Sequence, residues 1–204
     1  YRHCATNGVS AIIEVPIGLD GVALAEALGG PRLALTPAHL YRALAAAPGG
    51  TTNRARTWAD VDPALPDTPI RVYGPPATSG TRDAFVDLVL APGCVAMDRA
   101  MARRAQTDPV GYATRCTRIR DDGAYRDAGE NDNLVVQKLA GDPQAIGIIG
   151  YSYLEENGRT VRGVPLSGVL PGYRAIAAGR YPGSRPLYLY VKQAHLEAVP
   201  GLRA

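Results

Sequence analysis

Gly74-Pro75-Pro76-Ala77-Thr78-Ser79-Gly80-Thr81-Arg82-Asp83-Ala84-Phe85 is the stretch from which the fold of this chain can be worked out. A short apolar run at positions 70–73 ends just before it. Phe85, Leu88 and Val89 then follow at the i, i+3, i+4 spacing of a helix that buries one face. The stretch therefore predicts a turn that carries the chain from a strand into a helix.

The residues of this turn offer many hydrogen-bond donors. Thr78 or Ser79 is the expected N-cap, and the first N–H groups of the helix lack intrahelical acceptors and carry partial positive charge. Gly80 lets another group approach the backbone, while Thr81 and Arg82 add a hydroxyl and a cationic fork. Such a set predicts a small site for an oxyanion. The alternative is an ordinary capped turn with an exposed arginine.

Composition and charge narrow the function classes. The chain has 204 residues, 46% of them hydrophobic, so it can bury a substantial core as one large or two small domains. The net charge is +3 and the basic residues are dispersed, which argues against nucleic acid or a membrane surface as partner. No apolar run approaches the length that spans a bilayer. The start, Tyr1-Arg2-His3-Cys4, is neither an initiator Met nor a signal peptide, so we expect a processed or cut chain.

Three cysteines, Cys4, Cys94 and Cys116, leave two interpretations open. Cys94 and Cys116 could form a disulfide that closes a loop of about 20 residues, with Cys4 left over. Otherwise all three are reduced core residues. No CxxC motif occurs and no histidine lies near a cysteine in sequence, apart from His3 beside Cys4, so no zinc or other metal site is predicted.

Strand and helix patterns alternate along the chain, which predicts an α/β fold with a parallel or mixed sheet. Gly18 to Gly21 is predicted as a turn, and Val22 to Leu28 fits either a strand or a helix. Asn131 or Asp132 is expected to cap a second helix whose start could face a ligand, although a plain cap is the alternative. The predicted strands are 10–17, 70–73, 145–150, 161–166 and 187–191, and the predicted helices are 36–46, 79–90, 97–104, 109–115, 134–139, 151–156 and 171–178.

Catalysis has little support in the sequence. His3, His39 and His195 are far apart, no Gly-x-Ser-x-Gly elbow occurs, and Ser79 as a nucleophile would need a base that the sequence does not supply. We predict no catalytic residues and no cofactor. Trp58 is expected to anchor a polar loop by packing.

The central stretch resembles the Ser-Gly-Thr phosphate loop of the substrate-binding protein of phosphate ABC importers. Further segments resemble that family in the same order, over nearly the whole chain. They are Val15 to Leu24 (the crossover between lobes), Leu35 to Leu44 with Trp58-Ala59-Asp60, Asn131-Asp132-Asn133 with Ala145-Ile146-Gly147, and Ser184 to Tyr190 (the return strand).

The resemblance implies a periplasmic binding protein-like type II fold, in which ligand lies between two lobes with mixed sheets. Residues 1–17 would be a remnant of lobe 1, 18–183 would be lobe 2, and 184–204 would return to lobe 1. It also implies that the chain is truncated at both ends and that lobe 1 is incomplete. The facing wall of the site and the partner of Cys4 would then lie in the missing N-terminal part.

By the same resemblance, phosphate contacts the turn residues Thr78, Ser79, Gly80, Thr81 and Arg82. Some family members carry an arginine where this chain has Pro75, so Arg82 would supply the charge, as in other branches of the family. Asp83, Asn131 and Asp132 are weaker candidates. The implied protein is a monomeric receptor of the periplasm or cell envelope that delivers inorganic phosphate to ABC permease subunits. A phosphatase or phosphotransferase on the same scaffold, or a receptor for sulfate, molybdate or tungstate, are the alternatives.

Overall fold

The computed structural model describes residues 5–9 and 11–202, so Cys4 and its predicted pairing lie outside the described residues. The strands are β1 (Ile12–Ala27), β2 (Val72–Gly74), β3 (Tyr125–Asp127), β4 (Ile146–Gly150), β5 (Val161–Gly163) and β6 (Ser184–Lys192). The helices are α1 (Pro37–Leu44), α2 (Trp58–Val61), α3 (Gly80–Phe85), α4 (Ala91–Met97), α5 (Ala100–Thr107), α6 (Pro109–Cys116), α7 (Asp132–Gly141), α8 (Tyr151–Glu156), α9 (Tyr173–Ala177) and α10 (His195–Ala198).

The described strands form one mixed sheet, which confirms the predicted α/β class. Their order is β3-β2-β4-β1-β5, and β6 pairs with β1. β2 runs parallel to both β3 and β4, whereas β1 runs antiparallel to β4 and β5. The carboxyl ends of β2, β3 and β4 therefore meet at one edge of the sheet, where ligands of open α/β sheets commonly bind.

Residues within β1 and β4 alternate between the two faces of the sheet and divide the core into two layers. Val22, Leu24 and Ile148 belong to the larger layer, which also contains α1 and α3. Ala23 and Ile149 belong to the smaller one, under α7. This alternation explains why the sheet is buried on both sides.

A glycine in β4 lets α7 approach the sheet closely. A Cβ added at Gly147 would lie 2.6 Å from Val135 Cγ1 and 2.9 Å from Leu139 Cδ1. Any larger residue at position 147 would push α7 away from the sheet.

Two compact units divide the chain at residues 20/21 and 184/185. The larger unit runs from Gly21 to Ser184 and holds the sheet from β3 to β5 with α1 to α9. The smaller one combines the described residues up to Asp20 with those from Arg185 onward, and within it Arg185 Nη2 lies 3.1 Å from Asp20 Oδ2. The predicted boundaries were 17/18 and 183/184, and their assignment to lobes stays a prediction.

The predicted turn at Gly18 to Gly21 is wrong, because these residues belong to the long strand β1. The glycines suggested a break, but β1 pairs with β6 and continues through them as one strand. The open choice at Val22 to Leu28 is resolved as strand up to Ala27, where β1 ends.

The central helix is longer than predicted. Helical backbone continues from α3 through a π-helical turn at Val86–Leu90 into α4. The wider turn lies immediately before Pro92, which has no N–H and would clash with the carbonyl one turn earlier in a regular helix. The next helix begins at Ala100 rather than at Met97 because Asp98, in extended backbone, ends α4.

The predicted disulfide between Cys94 and Cys116 is confirmed. Their Cα atoms are 5.3 Å apart and both residues are buried, so the bond joins α4 to α6 inside the core. Among residues 5–9 and 11–202 we find no helix that combines the length and the apolar character needed to cross a membrane.

Candidate functional site

The turn after β2 begins the candidate site at the carboxyl edge of the sheet. Ser79 is the N-cap of α3, and its side-chain oxygen accepts a hydrogen bond from Thr81 N at 3.2 Å. Ser79 is buried, whereas Thr78 and Gly80 are exposed and Thr81 is half-buried. A Cβ added at Gly80 would meet nothing within 4 Å, so the backbone at the start of this helix is open to a ligand.

Arg82 is held over the ring of Tyr125 from β3. The guanidinium carbon lies 4.6 Å from the ring centroid, within the range of a cation–π interaction. The Tyr125 hydroxyl donates to Pro75 O at 2.6 Å. A Cβ at Gly74 would lie 2.5 Å from that hydroxyl oxygen, so glycine is required there. The tyrosine therefore fixes both the turn and the position of its cation.

Burial sets the protonation state of this tyrosine. It raises the pKa of Tyr125 to about 12, against the smaller opposing effect of Arg82. The hydroxyl is consequently neutral at physiological pH and remains a hydrogen-bond donor to the turn.

A second loop, between β3 and α7, is connected to the first. Glu130 Oε1 accepts a hydrogen bond from the Thr78 hydroxyl at 3.1 Å. Asp127 Oδ1 accepts one from Gly129 N at 2.7 Å, and Gly129 has a φ of 87°, a conformation that favours glycine. These bonds hold the loop against the start of α3.

The two residues predicted at the start of α7 have different positions. Asn131 is the N-cap, and its side chain accepts from Asn133 N at 3.0 Å. Asp132 is buried, and its Oδ2 accepts from Gly150 N at 2.8 Å, which ties α7 to the end of β4. This contact gives Asp132 a structural role, and a role for either residue in ligand binding stays a prediction.

The site residues predicted from the sequence thus lie at one edge of the sheet. Thr78 to Arg82 are consecutive at the start of α3, and Asn131 and Asp132 reach the same edge through the second loop. Asp83 is exposed in the first turn of α3. Tyr125 and Glu130 were not among the predicted site residues, because the polar segment around them carries no periodic strand or helix signal.

The described residues provide no metal site at this edge. Within 5–9 and 11–202, no group of three His, Cys, Asp or Glu side chains is arranged to hold a metal ion. His39 lies elsewhere, on α1, where its Nε2 is 3.2 Å from Asp62 Oδ2. The start of α3 offers an anion hydrogen-bond donors from a helix start, from hydroxyls and from one guanidinium.

Residues 2–204 match the family model described as "PBP superfamily domain". The chain belongs to this superfamily. As a member of the PBP superfamily it carries the mixed α/β fold that was expected, and the predicted resemblance to phosphate-binding proteins is confirmed by individual relatives.

The chain is similar in sequence to two curated relatives. It is 27% identical over 197 residues to Protein SphX of Synechococcus elongatus, covering 93% of this chain and 49% of the relative. It is 28% identical over 157 residues to the phosphate-binding protein PstS of Staphylococcus saprophyticus, covering 74% and 40%. The chain thus spans about half the length of these relatives or less.

A solved structure shares the fold. An ABC-type phosphate transport receptor from Vibrio cholerae aligns with a TM-score of 0.63 at 18% identity, covering 96% of this chain and 68% of the receptor. At this identity the alignment supports the fold of the PBP superfamily and leaves the ligand to be argued from the site.

Proposed function

We propose that this chain contributes one wall of a phosphate-binding site in a substrate-binding protein of an ABC importer. The observation that carries the proposal is the start of α3, which has backbone N–H groups, two hydroxyls and the Arg82 guanidinium within four consecutive residues. Phosphate has many acceptor lone pairs, and such a set of donors satisfies them with little net charge. The names of the relatives, which include a phosphate-binding protein PstS, favour phosphate among the oxyanions.

The rest of the transport function follows from the family. The protein would capture inorganic phosphate and release it to ABC permease subunits, without chemical change to the ion. Location in the periplasm or cell envelope fits the Cys94–Cys116 disulfide, because such bonds persist in oxidising compartments. We expect the receptor to act as a monomer.

The test is titration of the chain with inorganic phosphate by calorimetry, with Arg82→Ala as the variant. A charge-assisted hydrogen bond to the ion contributes about 1.5–3 kcal/mol, so we expect the variant to bind phosphate about tenfold more weakly or worse. Arg103→Ala, an exposed arginine of α5, is the matched control and should bind as the natural chain does. Equal phosphate affinity in the Arg82 and Arg103 variants would refute the site.

Two further measurements separate the alternatives. Competition by sulfate or molybdate at similar concentrations would favour a different oxyanion as the ligand. Release of phosphate from a phosphomonoester in a metal-free assay, lost in Ser79→Ala, would favour a phosphatase over a receptor.

A further inference from the structure

A cavity lies at the opposite edge of the sheet from the start of α3. It is bordered by the segments that lead into the amino ends of β2 and β3, which include Arg71 and Gly123. Its volume is 320 Å³, at the lower end of the range of small-molecule sites. The phosphate site proposed above does not use this cavity.

The cavity has a strong excess of positive charge. Its lining includes four arginines and a single carboxylate: Arg56, Arg71, Arg120, Arg126 and Asp122. A carboxylate outside the lining, Asp142, lies 2.9 Å from Arg71 Nη1 and neutralises part of that excess. A concave surface lined mainly by one sign of charge concentrates ions of the opposite sign.

One side of the cavity is rigid because its arginine is buried. Arg120 is 5% exposed, and its Nη1 donates to Ala43 O at 3.1 Å and to Ala55 O at 2.8 Å. Its Nε donates to Asp122 Oδ1 at 2.7 Å. This hydrogen bond is the main cause that lowers the pKa of Asp122, which therefore stays ionised at neutral pH. Arg120 and Asp122 therefore form a rigid ion pair in the cavity lining, and their opposite charges largely cancel.

Two arginines at the mouth are more exposed. Arg126 Nε donates to Gly123 O at 3.1 Å, and its guanidinium carbon lies 5.9 Å from the centroid of the Tyr73 ring, which limits its conformations. Arg56 is exposed, and the coulombic effect of its charge on Asp122 is small beside that of Arg120. Arg71 adds a third cation, whose buried Nε has no hydrogen-bond partner among residues 5–9 and 11–202.

We propose that this cavity, which we call the arginine cavity, binds a small polyanion with two oxyanion groups, of which pyrophosphate is the simplest. Each exposed guanidinium can present a fork of two parallel N–H groups to one oxyanion group, so Arg56 and Arg126 match a ligand with two such groups. Arg71, whose charge Asp142 partly neutralises, adds a third cation to the cavity lining. A volume of 320 Å³ accommodates a small ligand of this kind and favours it over a peptide.

The experiment is calorimetric titration of the chain with sodium pyrophosphate near physiological ionic strength, where nonspecific surface attraction is screened. The double variant Arg56→Ala/Arg126→Ala removes the two mouth cations, and both residues are exposed enough to be replaced without disturbing the core. Arg103→Ala/Arg159→Ala removes two exposed arginines outside the cavity and keeps the net charge equal to that of the test variant. Arg82→Ala is a third variant, and inorganic phosphate is titrated into each protein in parallel.

We expect the Arg56/Arg126 variant to bind pyrophosphate about tenfold more weakly or worse, and the Arg103/Arg159 and Arg82 variants to bind it as the natural chain does. No pyrophosphate binding by the natural chain, or equal loss in the two double variants, would overturn the proposal. Loss in the Arg82 variant alone would place pyrophosphate at the start of α3, and binding of a Glu-rich peptide but not of pyrophosphate would indicate a protein partner. Either result also overturns the proposal. The phosphate titrations report on the α3 site separately, so the two proposals can fail independently.

Discussion

Replacing Tyr125 with Phe removes one hydroxyl and keeps the ring under Arg82. The hydroxyl donates to Pro75 O at 2.6 Å, and Pro75 is buried, so the variant leaves a buried carbonyl without that partner. An unsatisfied buried group of this kind costs about 1–3 kcal/mol. We expect Tyr125→Phe to lower the free energy of unfolding by this amount at about pH 8.

The same substitution should change how stability depends on pH. Folding raises the pKa of Tyr125 to about 12 from an ordinary value of 10.0, so the folded state favours the neutral hydroxyl. This contribution is fully present below about pH 10 and is lost as the pH rises toward about 12. At about pH 11 the natural chain has lost about 1.4 kcal/mol of the free energy of unfolding that the neutral Tyr125 hydroxyl contributes. Phenylalanine does not ionise, so the variant loses nothing by this route. The difference in free energy of unfolding between the natural chain and the variant should therefore shrink by about 1.4 kcal/mol between about pH 8 and about pH 11.

Urea unfolding of both proteins at the two pH values measures this difference. Tyr181, whose pKa burial also raises to about 12, is present in both proteins, so its effect cancels. Tyr173→Phe is the control, because its side chain is 72% exposed and no change at either pH is expected. A deficit for Tyr125→Phe that is the same at both pH values would refute the assignment of a buried, neutral hydroxyl to this residue.

Two predictions concern the helices on the larger core layer. Replacing Cys94 and Cys116 together with Ala opens a loop with a sequence separation of 22, which should lower the free energy of unfolding by about 3 kcal/mol in the chain-entropy model. Urea unfolding under oxidising and reducing conditions checks this value, and a natural chain unaffected by reduction would contradict it. Gly93→Ala should cost about 2 kcal/mol or more, because the added Cβ would lie 2.1 Å from Pro37 O. Gly141→Ala, whose Cβ meets nothing within 4 Å, should change thermal stability little, and equal effects of the two would contradict the packing argument.

Local signals in the sequence were sufficient for much of the fold. The predicted helix 36–46 corresponds to α1, where Thr36 is the N-cap that accepts from His39 N at 3.1 Å and Pro37 is the first helical residue. The apolar run at β4 correctly predicted a buried strand. Each of these features depends on residues that are neighbours in the chain, which is the information that sequence patterns contain.

Elements whose stability comes from distant partners were predicted poorly. β3 has only three residues in a polar stretch, and it is a strand because Val72–Gly74 pairs with it in parallel register. β1 continues through two glycines and a proline because β6 pairs with it. Neither pairing leaves a periodic signal in the strand itself, so no strand was predicted at 125–127 and a turn was predicted within β1.

The same limit applies to the candidate site. Sequence order placed Ser79 and Arg82 at a helix start, and a resemblance gave them a ligand, but neither showed what holds Arg82 in position. That role belongs to Tyr125, which contacts Arg82 through its ring and the turn through its hydroxyl. Pro75 offers no cation, yet its carbonyl is the acceptor that fixes this tyrosine. The site thus depends on Pro75 for a backbone contact, and this is why a substitution at Tyr125 should disturb the turn even though the two are far apart in the chain.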